Sequence, residues 1–222
     1  MSEKLFDSWI KKYDQWFETP IGELVRKYEL ALLLKMLAPG AGENILDLGC
    51  GTGIFTDRVL DAGARVTGLD ISAPMVGAAG WKLQGRPFRP LCADMTALPF
   101  PDDSFDKVYS MTAVEFIPDG RAVVSEMERV AKPGATLVLT TLNALSPWAE
   151  RRTKAADQGH DLFKHVYFRS PEDVAALIGK SVTIETAVHF EKSADPREAI
   201  EIENFARGKD TGAFLAASWI CP

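Results

Sequence analysis

Residues 45–56 read Ile-Leu-Asp-Leu-Gly-Cys-Gly-Thr-Gly-Ile-Phe-Thr, and this stretch constrains the fold more than any other. An apolar strand closes at the acid Asp47, three glycines alternate at Gly49, Gly51 and Gly53, and a helix-like run begins at Ile54. Glycine lacks a Cβ, so such a turn adopts backbone angles closed to other residues and lets a ligand lie against the main chain. The amides opening the next helix add a partial positive field. Strand, tight turn and helix in that order form half of a βαβ unit, whose ligands sit at the carboxyl ends of the strands.

The glycine spacing separates two readings. A dinucleotide fingerprint runs G-x-G-x-x-G, with an acid about 20 residues further on. Here the pattern is G-x-G-x-G, and the acid precedes Gly49 by two positions. A nicotinamide-dependent oxidoreductase therefore fails on spacing. Further landmarks follow in order. Val66-Thr67-Gly68-Leu69-Asp70-Ile71 reads as a second strand ending in an acid, and a carboxylate there can accept both hydrogen bonds of a ribose diol. Leu91-Cys92-Ala93-Asp94-Met95 ends a third strand. Leu98-Pro99-Phe100-Pro101-Asp102-Asp103-Ser104-Phe105-Asp106 and Arg129-Val130-Ala131-Lys132-Pro133-Gly134 complete the series.

Taken in order, these segments resemble the class I S-adenosylmethionine-dependent methyltransferases of the ubiquinone/menaquinone-biosynthesis type (methyltransferase type 11). The glycine stretch resembles their motif I, residues 98–106 their LPF-x-DxSFD segment, and residues 129–137 their RVLKPGG turn. The resemblance implies S-adenosylmethionine as cofactor and S-adenosylhomocysteine as product. It places Asp47 near the cofactor's amino group, and Gly49, Cys50, Gly51 and Gly53 along its methionine and ribose portions. Asp70 and Ile71 fall at the ribose, Asp94 and Met95 at the adenine, and Ser110, ending strand four, near the methyl region.

The 222 residues suit one α/β domain, and 46% hydrophobic content is ordinary for a globular chain. No apolar run reaches the length of a membrane span, and the N-terminus lacks the basic and apolar regions of a secretory leader. Cys50, Cys92 and Cys221 show no metal spacing, and an odd number without a framework suits a reducing cytoplasm. A net charge of −6 argues against nucleic acid as a partner. The short run Arg151-Arg152-Thr153-Lys154 reads as a solvated helix face. A small-molecule acceptor and a monomer or homodimer are expected, with no metal.

Along the chain, Phe6, Trp9, Tyr13, Trp16 and Phe17 share one helical face, and Thr19-Pro20 caps a second helix whose stripe stops at Pro39-Gly40. These residues, 1–40, are expected to form an N-terminal helical cap; Tyr13 and Trp16 either pack on the core or touch the cofactor or substrate. From Asn44 strands and helices alternate: strands at 44–48, 65–70, 88–92, 105–110, 135–141, 182–190 and 213–221. Alternation predicts a Rossmann-like three-layer sandwich. The resemblance adds a seven-stranded, mostly parallel sheet with the last strand antiparallel. Residues 142–169 are too long for a plain connection and are expected to form a lid over the acceptor.

Methyl transfer from a sulfonium demands chiefly that the reactants be aligned and shielded from water. A side-chain base is needed only where the acceptor must lose a proton. The candidates are Glu115, His165 and His160, with His189 less suited because it falls in an expected strand. Each has an ordinary structural reading beside it. A catalytically silent cofactor-binding protein of the same fold is the competing function.

Overall fold

The computed structural model describes residues 6–7 and 9–222; Met1–Leu5 and Ser8, read above for a leader and for the start of the helical cap, lie outside them. Two helices come first, α1 (Ile10–Phe17) and α2 (Pro20–Leu37). Thr19 caps α2 by accepting from the Gly22 amide at 3.1 Å, with Pro20 in the first turn, and Ala38 ends it in a left-handed conformation. There follow β1 (Asn44–Leu48), α3 (Thr56–Asp61), β2 (Arg65–Asp70), α4 (Ala73–Lys82), β3 (Phe88–Cys92), β4 (Phe105–Ser110), α5 (Gly120–Val130) and β5 (Ala131–Leu142). The remainder is α6 (Pro147–Asp157), α7 (Pro171–Ile178), β6 (Thr183–Ala187), α8 (Pro196–Phe205) and β7 (Phe214–Ile220).

The seven strands form one sheet in the order β3-β2-β1-β4-β5-β7-β6; β7 runs antiparallel to both β5 and β6, and the other pairs are parallel. Period-2 alternation divides the core into two layers. Ile45, Tyr109, Val138 and Phe214 join the side carrying α2, whereas Leu46, Leu48, Val108 and Leu137 join the side carrying α5. The chain order reverses between β1 and β4, the switch point at which open α/β sheets leave a crevice.

Three differences from the sequence reading matter. Helix α8 was not expected; its signal is Asp195-Pro196, where Asp195 accepts from the Arg197 amide at 2.8 Å. Strand β6 stops at Ala187 rather than 190, because Val188 takes a left-handed conformation and its amide and that of His189 donate to Glu203 instead of a strand. His189 is therefore outside the strand, with Nδ1 3.2 Å from Glu203 Oε2. The segment 142–169 contains a true helix, α6, anchored by buried Trp148, whose indole donates to the Phe190 carbonyl at 2.6 Å.

Candidate active site

The carboxyl ends of β1, β2 and β4 open on a cavity of about 130 Å³. Its inner wall carries Asp47, Gly49, Cys50, Gly51, Asp70 and Ile71; Asp94 and Met95 border it after β3, and Met111, Thr112 and Ala113 after β4. Phe6, Trp9, Tyr13, Phe116 and Leu162 close the outer side. Most residues assigned to the cofactor from sequence thus meet in one cleft.

Asp47 is 1% exposed. Its Oδ2 accepts from the hydroxyls of Thr56 and Tyr109, each at 2.6 Å, while Oδ1 is cut off from water without a partner. Burial pushes its carboxyl up to about 6, against the pull of those two hydroxyls. A buried acceptor atom left unpaired on a cleft wall suits a cationic ligand group. Asp70 accepts from the Gly51 amide (Oδ2) and the Ser72 amide (Oδ1), each at 2.9 Å, so one carboxylate holds the glycine turn and the cap of α4. Burial raises its pKa. Gly51 has φ +53, and a Cβ built on it would meet nothing within 4 Å, because it would project into open space. This chain therefore presents the hydrogen-bond acceptors and the backbone approach that suit a nucleoside bearing an amino acid.

Two assigned residues stand apart from the cleft. Gly53 is buried, and a Cβ there would come 2.9 Å from Leu83 Cδ1; its role is close packing of the turn on α4. Ser110 is fully buried and donates to the Leu48 carbonyl at 3.0 Å, tying β4 to β1 rather than facing the cleft. Asp94 lines the cleft, with Oδ1 held by the amide and hydroxyl of Thr96 at 2.8 Å each.

The N-terminal segment is fastened over this site. Thr52 donates to Asp14 Oδ1 at 2.6 Å, Lys82 reaches Asp14 Oδ2 at 2.7 Å, and Ser72 donates to Asp7 at 2.8 Å. Phe6 stacks edge-on against Phe116 with ring centres 4.9 Å apart. Tyr13 lines the cleft, whereas Trp16 packs on Trp148.

The three proposed bases are distributed unevenly. His165 is exposed and does not border the cleft, being carried outward on the turn Phe163–His165. His160 stacks on Phe163 with ring centres 4.2 Å apart and faces Trp9; it supports the outer wall through aromatic packing. Glu115 is 1% exposed and sits on the short turn Val114–Phe116, between the cleft-lining Ala113 and Phe116. Burial pushes its carboxyl up to about 7, against the pull of Arg152 and Arg169. Arg169 holds that turn by donating to the carbonyls of Val114 (3.0 Å) and Ile117 (2.9 Å). The Tyr167 amide donates to the Glu115 carbonyl at 2.7 Å.

Two residues that the sequence reading missed lie beside Glu115. Glu29 is 7% exposed on α2, with a carboxyl that burial pushes up to about 8. Its signal was an acid on an apolar stripe, four residues after Val25 and three before Leu32. Arg152 corrects the solvated-face reading of residues 151–154: its guanidinium packs over Trp148 and Phe163, with Nε and Nη1 shut off from water. Among the described residues no group of three His, Cys, Asp or Glu side chains could hold a metal ion, and no helix is long and apolar enough to cross a membrane.

With this geometry in place, residues 46–139 match the family model described as a methyltransferase domain. A malonyl-[acyl-carrier protein] O-methyltransferase of Serratia marcescens is 29% identical over 167 residues, covering 66% of this chain and 65% of that protein. Its counterpart from Erwinia billingiae is 39% identical over 143 residues, 64% of this chain and 55% of that protein. These matches thus span less than two thirds of either relative. A Thermotoga maritima structure described as an S-adenosylmethionine-dependent methyltransferase, possible histamine N-methyltransferase, superposes with a TM-score of 0.76 at 20% identity, with both chains fully covered. At that identity the likeness concerns the fold.

Proposed function

We propose, from the premise that this chain belongs through residues 46–139 to the class I S-adenosylmethionine-dependent methyltransferases, that it methylates a small molecule held between the glycine turn and the N-terminal helices. The observation that carries this reading is the cleft itself. One wall is the acid-flanked glycine turn; the other is a set of aromatic and apolar side chains, Phe6, Trp9, Phe116 and Leu162.

Asp47, Gly51, Asp70 and Asp94 would hold the cofactor: Asp47 Oδ1 at its amino group, Gly51 against its backbone-facing edge, Asp70 at the ribose and Asp94 at the adenine. Bound S-adenosylmethionine supplies an electrophilic methyl group on a sulfonium centre. The protein's own work is then alignment and dehydration. Phe6, Trp9 and Phe116 exclude water from the outer cleft. Glu115, on the turn between the cleft-lining Ala113 and Phe116, is the group assigned to take the proton that an acceptor hydroxyl or amine releases. The Serratia and Erwinia relatives are named for O-methylation and the Thermotoga structure for a possible amine acceptor. Their names therefore disagree about the acceptor, and the assignment here is a small polar molecule with an apolar portion. The acidic charge and the enclosed cleft favour such a molecule over nucleic acid, in a cytoplasmic setting. Calorimetric titration with S-adenosylhomocysteine, wild type against Asp70→Ala, tests the cofactor assignment; transfer of labelled methyl to an acceptor tests the activity.

A further inference from the structure

A second groove, of about 430 Å³, opens at the other end of the sheet, where the strands begin. It owes its existence to the crossover from β3 to β4. Residues 93–104 form neither helix nor strand, so no crossover helix covers the α5 side of the sheet at the start of β2 and β3. The register sets Asn44 beside Arg65 and Thr67 beside both Leu46 and Arg89, and the two-residue period puts these side chains on that same side. Phe100 and Phe105, in edge-on contact with ring centres 5.0 Å apart, supply an apolar wall. From Arg65 to Asp70, β2 rises about 17 Å. The groove and the cofactor cleft thus lie at opposite ends of the same strands, and they share no lining residue.

The chemistry of an occupant follows from the charge. Arg65, Arg86 and Arg89 line the groove and no acid does, on a chain whose net charge is −6. The acids behind it are already engaged. Asp61 accepts from Arg86 at 2.7 Å and from Arg58 at 3.2 Å, and Asp106 from Lys132 at 2.6 Å and the Asn44 amide at 2.8 Å. Arg65 is held by neutral acceptors alone, Asn44 Oδ1 at 3.0 Å and the Gly42 carbonyl at 2.7 Å. Arg89 is exposed and makes no side-chain hydrogen bond or ion pair among the described residues. One arginine on an edge strand serves merely to deter edge pairing. Here two guanidiniums without a counter-charge share a floor with the Thr67 hydroxyl and face an aromatic wall. A guanidinium fork matches a carboxylate or phosphate, and the wall suits a flat apolar body. A cationic ligand would be repelled, and a purely apolar one would leave both forks unused.

We propose that this groove is a second binding site, for a small oxyanion carried on a flat apolar or aromatic body. Arg89 and Arg65 take the anion, Thr67 donates to it, and Phe100 packs against the body. The site is independent of the cofactor cleft, and the inference stands whether or not the cleft transfers methyl groups.

Phenyl phosphate serves as the probe, with inorganic phosphate and benzyl alcohol standing for its two halves. Each is titrated into the full chain while backbone amides are followed by ¹⁵N NMR. Phenyl phosphate is expected to shift the amides of Thr67, Arg89 and Phe100 saturably, and to bind about fivefold or more tighter than either half. Arg89→Gln should weaken it about tenfold. Arg197→Gln removes the same charge from α8, which joins β6 and β7 at the opposite edge of the sheet, and should leave the affinity unchanged. Three outcomes would overturn the proposal: no saturable shift in those amides, shifts confined to Gly49, Gly51 and Ile71 in the cofactor cleft, or equal weakening by the two variants, which would reduce the effect to general charge. Should Arg89→Gln fail to fold, the wild-type comparison of the three probes decides.

Discussion

The Tyr109 hydroxyl donates to Asp47 Oδ2 across 2.6 Å, joining the ends of β1 and β4 on the two sides of the switch point. Together with Thr56 it occupies one carboxylate oxygen and leaves the other unpaired on the cleft wall. The strand pair thus orients a buried acid before any ligand arrives, and the energetic consequence depends on pH.

Burial pushes Asp47 up to about 6, Glu115 to about 7 and Glu29 to about 8, all above their ordinary values. Between each ordinary value and its raised one, the folded state holds a proton that the unfolded chain has lost. Stability therefore falls as pH climbs through about 4 to 8, by about 3 kcal/mol for Asp47 alone. A cofactor ammonium beside Asp47 offsets its share. S-adenosylhomocysteine is expected to raise the unfolding temperature more at about pH 7.5 than at about pH 5, measured by calorimetry in matched salt. An equal or smaller increment at the higher pH would remove Asp47 from the amino-group position.

Gly49 and Gly51 both have positive φ but differ in what surrounds them. A Cβ on Gly49 would fall 2.3 Å from Ala113 Cβ, so Gly49→Ala should damage folding and lower the unfolding temperature markedly. Gly51→Ala meets no atom and adds only backbone strain, about 1 kcal/mol. It should leave a folded protein that has lost most of its affinity for S-adenosylhomocysteine, because its methyl occupies the ligand's approach. Paired thermal unfolding and calorimetry check this, and normal binding by Gly51→Ala would contradict close backbone contact there.

Asp14 ties α1 to the glycine turn through Thr52 and to α4 through Lys82. Asp14→Ala should speed S-adenosylhomocysteine dissociation and raise amide exchange in residues 9–17, with little change in the exchange of β1 and β4. Unaltered dissociation would mean that α1 is not a closing element.

Glu115→Gln separates proton transfer from structure. Glutamine keeps the shape of the side chain beside Tyr13, Glu29, Thr141, Arg152 and Arg169, but cannot take a proton. With an acceptor that loses a proton, kcat/KM of the wild type should rise as pH passes about 7, where Glu115 ionises, and this limb should vanish in the variant. The rate should fall about 10²–10⁴-fold, the usual size of such a contribution. S-adenosylhomocysteine affinity should be preserved. A variant with an unchanged pH profile would leave Glu115 a structural acid.

What the sequence disclosed follows from how local each signal is. Asp47, the glycine turn, Asp70 and Asp94 are written in contiguous segments at strand ends, so their convergence on one cleft could be read from the βαβ order together with the family resemblance. Thr19 announced its helix by capping chemistry that acts within three residues. The burial of Glu29 and Arg152 was illegible because they are far apart in the chain and are covered only after α2 and α6 pack on the same side of the sheet. Arg152 sits in a run of charges that looks solvated until Trp148 and Phe163 cover it. Ser110 and Gly53 were placed at the ligand by position in a motif; their side-chain and Cβ directions, which the sequence does not carry, turn both toward packing.

The central claim is a cleft made for S-adenosylmethionine, and calorimetric titration with S-adenosylhomocysteine, with NAD as control, tests it most directly. The account predicts about micromolar binding of S-adenosylhomocysteine alone, weakened in Asp70→Ala by about 1.5–3 kcal/mol, the contribution of a charged hydrogen bond. Preference for NAD, or S-adenosylhomocysteine binding that ignores the loss of the Asp70 carboxylate, would contradict it.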